Sequence, residues 1–268
     1  MTVAPTRSWA LERNDRRVDF LTGPTATMFA ESGPFQVTRH RHPAWKVVLS
    51  LAGPIEVRHA DGVMASTGMI VPPQLVHTCA TSSAYVALFL DPWKLRSAPG
   101  PCRLDVAETQ RVLDALGPTS GAGAHADLAA ACAELTRLHG EAASLDPRLA
   151  HAVGEYPRPD RDAGIEAVAA GVGISPSRLR ALARDSVGIP LTRLRQWARL
   201  RVAVADLPRE TVAAAAASAG FADQAHLTRT ARRLTGRTPS SVFPRFELSA
   251  LTRTEGRVTR WGCERLVG

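Results

Sequence analysis

Short apolar segments separated by turn-forming residues characterise the first third of the chain. The segments are four to seven residues long and rich in valine, isoleucine and leucine, which is typical of β-strands. Gly53-Pro54 and Asp61-Gly62 separate them as turns. The pattern predicts a small barrel or sandwich after an irregular segment over residues 1–34. The predicted strands are Phe35–His40, Lys46–Leu51, Ile55–His59, Gly68–Val71 and Ala84–Leu90.

Beyond Pro101 the apolar residues recur at helical spacing. Two amphipathic helices are predicted at Asp105–Leu116 and Ala126–Leu138, joined by a loop at Gly117–Gly123. They either pack on the barrel or pair with a second copy of the chain. Asp146-Pro147 begins a further helix that ends at Tyr156–Pro159. The remaining predicted helices are Ile165–Ala170, Pro176–Val187, Leu191–Leu207, Glu210–Ala219 and Gln224–Thr235.

Two of these helices belong to a repeated helix-turn-helix pattern. A turn glycine precedes Ser175 in one copy and Asp223, 48 residues later, in the other. In both copies Leu, Ala and Gly follow at offsets of 4, 8 and 13 residues. Ser and Asp favour a helix start, Leu and Ala supply one buried face, and glycine ends the helix. The repeat predicts two short helices presented to one partner, duplex DNA.

The positive charge is concentrated in the segment that holds the repeat. Residues 1–143 contain 13 basic and 13 acidic residues, whereas residues 144–246 contain 16 arginines and 9 acidic residues. Such an excess suits a phosphate-binding surface, although a solvated basic face is the plain alternative. The net charge of the whole chain is +8.

The cysteines and the apolar segments limit the class of protein. The four cysteines contain no Cys-x-x-Cys pair, which argues against a zinc ribbon, a disulfide framework and an alkyl-transfer repair protein. No signal peptide or membrane-spanning segment is visible, so a cytoplasmic protein is expected.

The repeat resembles the DNA-binding domain of AraC/XylS transcriptional regulators. The second copy, Ala219–Arg229 followed by Gly236–Ser240, carries the more specific signature, and Gly173–Leu179 resembles the first turn and recognition helix. The family usually has Phe where this chain has Ala183 and Ala231, so smaller groups must close the core there. The departures lie away from the proposed DNA face.

The N-terminal part resembles, more weakly, the cupin-like sensor domains of such regulators, at His40-Arg41-His42, Gly53, Gly68, Pro72-Pro73 and His77. The resemblance implies an α+β protein with an N-terminal cupin-like β-barrel and an all-α double helix-turn-helix domain. The expected division is a sensor barrel at 1–100, linker or dimerisation helices at 101–143, the double helix-turn-helix at 144–246 and a tail at 247–268.

The resemblance also suggests which residues contact DNA. In the first recognition helix Ser177, Arg180 and Ala181 occupy base-reading positions, and Arg180 suits guanine. Phosphate contact or simple solvation is expected for Arg178 and Arg184. The second helix presents Gln224, Ala225, His226 and Arg229, where Gln suits adenine and His226 contacts DNA or only solvent. Arg233 and Arg237 are expected to hold the DNA backbone, with Arg232 beside them.

Three histidines raise the alternative of a metal-dependent cupin enzyme with a basic helical appendage. His40 and His42 share one face of a strand, and His77 could complete a ligand set. Metal-bearing cupins place a glutamate about four residues after the pair, where this chain has Lys46, so no metal or other cofactor is expected. Instead His40, His42, Trp45 and His77 are predicted to line a small-molecule effector pocket.

The sequence thus favours a non-enzymatic, sequence-specific transcription regulator, such as an activator, controlled by an effector in the barrel. No motif of a phosphate-binding loop or a catalytic triad supports the enzyme alternative. Duplex DNA and a small molecule are the expected partners, with RNA polymerase and a second copy of the chain as further candidates and no membrane contact.

Overall fold

The computed structural model describes residues 7–13, 16–24, 26–118, 126–155 and 164–242. The predicted helix end at Tyr156–Pro159, residues 119–123 of the predicted loop and the tail at 247–268 lie outside the described residues.

Eleven strands in the described part of the chain form two antiparallel sheets. The larger sheet has the order β1-β2-β3-β10-β5-β8-β11 and the smaller one β4-β9-β6-β7. Buried side chains of both sheets, among them Phe35, Val48 and Ile55, form a shared core. The strands are β1 (Arg7–Arg13), β2 (Arg16–Thr22), β3 (Ala26–Glu31), β4 (Phe35–His40), β5 (Trp45–Ser50), β6 (Ile55–His59), β7 (Gly62–Ser66), β8 (Gly68–Val71), β9 (His77–Thr81), β10 (Tyr85–Leu90) and β11 (Cys102–Leu104).

The irregular segment predicted over residues 1–34 is wrong, because β1, β2 and β3 occupy most of it. β1 pairs with β2 from Arg7↔Thr22 to Arg13↔Arg16, and β2 then pairs with β3. Charged residues occupy three of the seven positions in each of β1 and β2, so neither strand has the apolar content that marks β5 or β10. The added strands extend the larger sheet towards the C-terminal helices.

Strand β5 is buried on both faces, as expected for a central strand. Trp45, Val47 and Leu49 pack in the cluster that includes helices α1 (Val106–Leu116) and α2 (Leu128–His139). These two helices therefore pack on the barrel. Each begins with a capping aspartate; at α1, Asp105 and Glu108 form a capping box.

The C-terminal helices form two compact groups joined by the long helix α6. The first core unites α3, α4, α5 and the start of α6, and the second unites α6, α7 and α8 with barrel residues Ala44 and Phe89. None of the described helices combines the length and apolar character needed to cross a membrane. The helices are α3 (Pro147–Glu155), α4 (Ile165–Gly171), α5 (Pro176–Val187), α6 (Leu191–Asp206), α7 (Val212–Ser218), α8 (Gln224–Thr235) and α9 (Pro239–Val242).

Candidate nucleic-acid interface and interdomain cavity

The two repeat helices, α5 and α8, have the local geometry that their sequences predict. The Ser175 hydroxyl accepts a hydrogen bond from the Arg178 amide at 3.2 Å, and the Asp223 carboxylate accepts one from the His226 amide. Both helices end in a glycine in the left-handed conformation, with φ of 71° at Gly188 and 73° at Gly236. Such a φ favours glycine, so both helix ends are set by local sequence.

On α5 the predicted DNA-contacting residues lie on the side opposite the core. Leu179 and Ala183 are fully buried, whereas Ser177, Arg178, Arg180 and Arg184 are exposed and Ala181 is half-buried. Arg180 comes within 3.9 Å of Glu166, too far for a hydrogen bond and in an exposed setting. Its guanidinium therefore remains accessible to a partner.

On α8 an equivalent face is presented by Gln224, Ala225, Arg229 and Arg233, all exposed. His226 is only half-exposed, because its ring contacts Phe221 and its Nδ1 lies 3.4 Å from the Ala222 amide that donates to it. His226 is thus partly engaged in the turn before the helix. DNA contact by these residues and by those on α5 stays a prediction.

Arg237, predicted to hold the DNA backbone, lies in a different place. Its guanidinium donates two hydrogen bonds to the Glu31 carboxylate, at 2.7 and 3.1 Å, and a third to the Tyr85 hydroxyl at 3.2 Å. Its side chain is only 14% exposed, and that of Glu31 is fully buried. Arg16 also donates to Glu31. In this structure Arg237 binds the barrel and is not available to DNA.

Glu31 is a buried anion held by cations from both parts of the chain. Burial alone would raise its pKa, but the Arg237 guanidinium, the Tyr85 hydroxyl and the charge of Arg16 outweigh burial and lower it. Glu31 is therefore ionised, and its bidentate contact with Arg237 ties the end of α8 to β3.

Further contacts dock α6 and α8 on the barrel. The Thr38 amide and hydroxyl both donate to the Gly236 carbonyl, at 3.2 and 3.0 Å. A Cβ at Gly236 would lie 2.5 Å from the Thr38 carbonyl oxygen, so this approach requires glycine. On α6, Arg201 donates to the Thr22 hydroxyl and to the Gly23 carbonyl.

An apolar cavity of about 100 Å³ lies between the barrel and these helices. Aromatic rings from the barrel, such as Phe20 and Phe29, face Trp197 and Leu200 of α6 across it. The polar lining comes mainly from Lys46, Tyr85, Arg201 and Arg237, together with a few threonines. Because both parts of the chain supply walls, the volume of the cavity depends on how closely they dock.

Lys46 is one of the buried cations that line this cavity. It is only 4% exposed, and no hydrogen bond or ion pair involves its ammonium group in the part of the chain that the structure describes. Burial lowers the pKa of Lys46 accordingly. Sequence reasoning used Lys46 only as an argument against a metal. A single lysine inside the apolar strand Trp45–Ser50 is the signal that could have identified it.

The four predicted effector residues do not line this cavity. Trp45 points to the opposite face of its strand, where its indole donates to the Pro92 carbonyl at 3.1 Å. His42 lies between Phe89 and Trp197, with ring centroids at 4.5 and 4.2 Å. His40 and His77 contact each other at 4.3 Å. Effector binding by these four residues stays a prediction.

His42 does not present the donor atom that a cupin metal centre needs. His42 Nδ1 accepts the Ala44 amide at 3.0 Å, which places the proton of the neutral ring on Nε2, where a metal needs a lone pair. The charge of Lys46 lowers the pKa of His40, His42 and His77 after the larger effect of burial, and it would equally repel a cation. No cluster of three metal-binding side chains occurs among the described residues.

Residues 168–245 match a family model described as a helix-turn-helix domain. The fold is similar to that of ToxT from Vibrio cholerae, with a TM-score of 0.54 and 7% identity over 81% of this chain and 97% of that one. ToxT of strain SCE256, solved with an unsaturated fatty acid bound, is similar with a TM-score of 0.50 and 8% identity over 91% and 96%.

A third solved structure is the C-terminal domain of AraT, a response regulator from Geobacillus stearothermophilus. It is 20% identical over 42% of this chain and 97% of its own, with a TM-score of 0.35. A search of curated proteins found no match. Residues 168–245 therefore form a helix-turn-helix domain, which follows an N-terminal part built from two antiparallel sheets.

Proposed function

We propose that the protein is a sequence-specific, DNA-binding transcription regulator. The observation that carries this proposal is the pair of helices α5 and α8, each capped in the same way and each exposing a polar, arginine-bearing face. α6, which joins the two groups, is 16 residues long, or about 24 Å. That length supports contact with two neighbouring segments of the major groove, about one turn apart.

The first prediction tests the readout by α5 and α8. Arg180→Ala and Gln224→Ala should each relax base preference at a few positions, because a good bidentate base contact is worth about 1–3 kcal/mol of discrimination. Selection of full-length protein on randomised duplexes measures this. Arg148→Ala, an exposed arginine of α3 outside both helices, is the control. An unchanged base profile in both test variants would contradict the assignment of the recognition helices.

We further propose that an amphiphilic carboxylate in the interdomain cavity controls DNA binding. Apolar walls suit a ligand with an apolar body, and Lys46, whose ammonium group has no hydrogen-bond or ion-pair partner among the described residues, suits an anionic head. The bound fatty acid in the ToxT structure supports this ligand class.

Ligand size explains how binding would reach the DNA interface. The cavity of about 100 Å³ is smaller than the roughly 300–1,000 Å³ of typical ligand pockets. A long-chain ligand therefore has to move walls that belong to α6 and to the barrel. The free energy by which the ligand shifts this equilibrium equals the difference between its binding free energies for the closely docked and the more open arrangement.

The second prediction concerns the head group. Oleate should raise the melting temperature of the protein more than methyl oleate does, because only the acid can pair with Lys46. In Lys46→Met, which keeps the length of the side chain, the preference for the acid should fall about tenfold or more, the size of a charge-assisted hydrogen bond. Titration calorimetry with both ligands measures it. Equal preference in wild type and variant would place the head group elsewhere.

A further inference from the structure

A strand of the barrel lies against the C-terminal half of the second recognition helix. The backbone amide of Arg41, which directly follows β4, donates to the carbonyl of Arg233 at 3.4 Å. The two hydrogen bonds from Thr38 to Gly236 hold the same strand one helical turn further along. The side chain of Arg41, which is exposed, thus leaves the barrel beside the exposed side chain of Arg233.

Three arginines from three elements are neighbours at this point. Arg193 of α6 lies close to Arg41 and Arg233. Burial lowers the pKa of Arg193 most, and the charges of Arg233 and Arg41 lower it further. Arg233 donates to the side-chain oxygen of Gln196, a neutral group, at 2.9 Å, so the hydrogen bond orients its guanidinium without cancelling its charge. Within the described ranges no carboxylate forms an ion pair with any of the three.

Unpaired like charges at one place are unfavourable in the free protein and favour the binding of an anion. The position of the cluster indicates which anion. Ala225, Arg229 and Arg233 follow one another at four-residue intervals on α8, so they share one face of the recognition helix. Arg41 and Arg193 continue this face beyond its C-terminal half.

We propose that Arg41, Arg193 and Arg233 form a composite phosphate-binding surface that contacts the backbone of duplex DNA beside the second recognition helix. The barrel thereby contributes directly to DNA binding through Arg41. The inference rests on the proposed function and adds a contact outside the helix-turn-helix domain. It also makes affinity for DNA depend on docking of the barrel, since undocking would carry Arg41 away from Arg233.

The test measures binding of full-length protein to a random-sequence duplex at salt concentrations from about 50 to 200 mM. Each phosphate contact contributes about 0.9 to the slope of log affinity against log salt. Arg41→Gln should reduce that slope by about one and weaken binding several-fold at the low-salt end. Arg41→Lys should restore the slope, because the charge is what neutralises the phosphate.

Arg103→Gln is the matched control, since it removes an exposed arginine from β11 at the edge of the other sheet. It should leave the slope unchanged. An Arg41→Gln slope equal to that of Arg103→Gln would overturn the inference while leaving the proposed function intact. Absence of duplex binding by the wild-type protein would instead refute the proposed function itself.

The thermal unfolding of Arg41→Gln separates a lost contact from a damaged fold. Its melting temperature should be no lower than that of Arg103→Gln, because only an exposed side chain changes, the backbone bond to Arg233 is kept and the repulsion among the arginines is reduced. Arg193→Gln should lower the salt slope by a similar amount, and combining it with Arg41→Gln should lower the slope by less than the sum if both arginines hold one phosphate. Two independent, fully additive losses would show separate contacts and would contradict a composite site.

Discussion

Glu31→Leu should lower the free energy of unfolding by about 3–5 kcal/mol, the usual cost of removing one partner from a buried ion pair. The substitution leaves the Arg237 guanidinium buried against Tyr85 and Phe29 without its carboxylate. Since Arg237 follows α8 and Glu31 ends β3, the loss falls on the docking of the two parts of the chain. Denaturant unfolding, followed by tryptophan fluorescence to which Trp197 in the cavity wall contributes, measures the loss.

The double variant Glu31→Leu/Arg237→Leu is the control for this interpretation. It removes both charges, so most of the stability should return, as found when apolar residues replace a whole buried pair. Arg237→Leu alone should be nearly as damaging as Glu31→Leu, although Arg16 still compensates part of the charge of Glu31. If the double variant were as unstable as the single ones, the damage would arise from packing and the ion pair would not be what holds the interface.

The helical part of the fold could be predicted because its signals are local. The bounds of α5 and α8 are those expected from Ser175, Asp223 and the two glycines at their ends. Capping side chains and left-handed glycines act within a few residues, so a single sequence displays them fully. Strands β4, β6 and β8 were predicted for the same reason, since turns limit each of them.

The contacts between the two parts of the chain could not be predicted in this way. Glu31 and Arg237 are 206 residues apart, and nothing near either residue indicates its partner. Arg237 directly follows the glycine that ends the second recognition helix, and this position is why it was expected to contact DNA. Its burial depends on the docking of α8 against β4, a tertiary contact that local patterns do not record.

The candidate cavity was missed for a related reason. Its walls come from strands near the start of the chain and from α6 and α8 near the end. His40 and His42 were expected to share one face of a strand, but β4 ends at His40 and His42 lies beyond it. Each of the three histidines uses Nδ1 in a short-range backbone hydrogen bond. They are buried rings, and His42 lies at the interface with α6 beside Trp197.

Those buried rings should make the protein sensitive to mild acid. Burial, followed by the charge of Lys46, lowers the pKa of His77 to about 3 and those of His40 and His42 well below their usual 6.5. As the pH falls through 6.5, the unfolded chain takes up three protons at these histidines, which the folded protein excludes. The stability that these residues contribute is therefore present above pH 6.5 and is lost as the pH falls below it.

Asp91 acts in the opposite direction. Burial raises its pKa from 3.8 to about 6, against the opposing charges of Arg201 and Lys94. The folded protein then holds a proton between pH 6 and 4 that the unfolded chain lacks, which adds stability as the pH falls. Three histidines against one aspartate leave a net loss, which we expect to be about 3 kcal/mol between pH 6.5 and 5.

Denaturant unfolding at several pH values between 5 and 7 measures this loss, and two variants should change its slope in opposite directions. In His77→Asn, the side-chain amide can replace Nδ1 as the hydrogen-bond donor to the Leu75 carbonyl. The number of protons taken up on unfolding should then fall by about one, which makes the pH dependence of the free energy of unfolding shallower. Asp91→Asn removes the opposing group and should make it steeper. Both slopes are read independently of how far each variant is destabilised overall, so a cavity left by the smaller side chain does not obscure them. Parallel pH profiles for wild type and His77→Asn would mean that His77 titrates normally and that the barrel interior admits a charged ring.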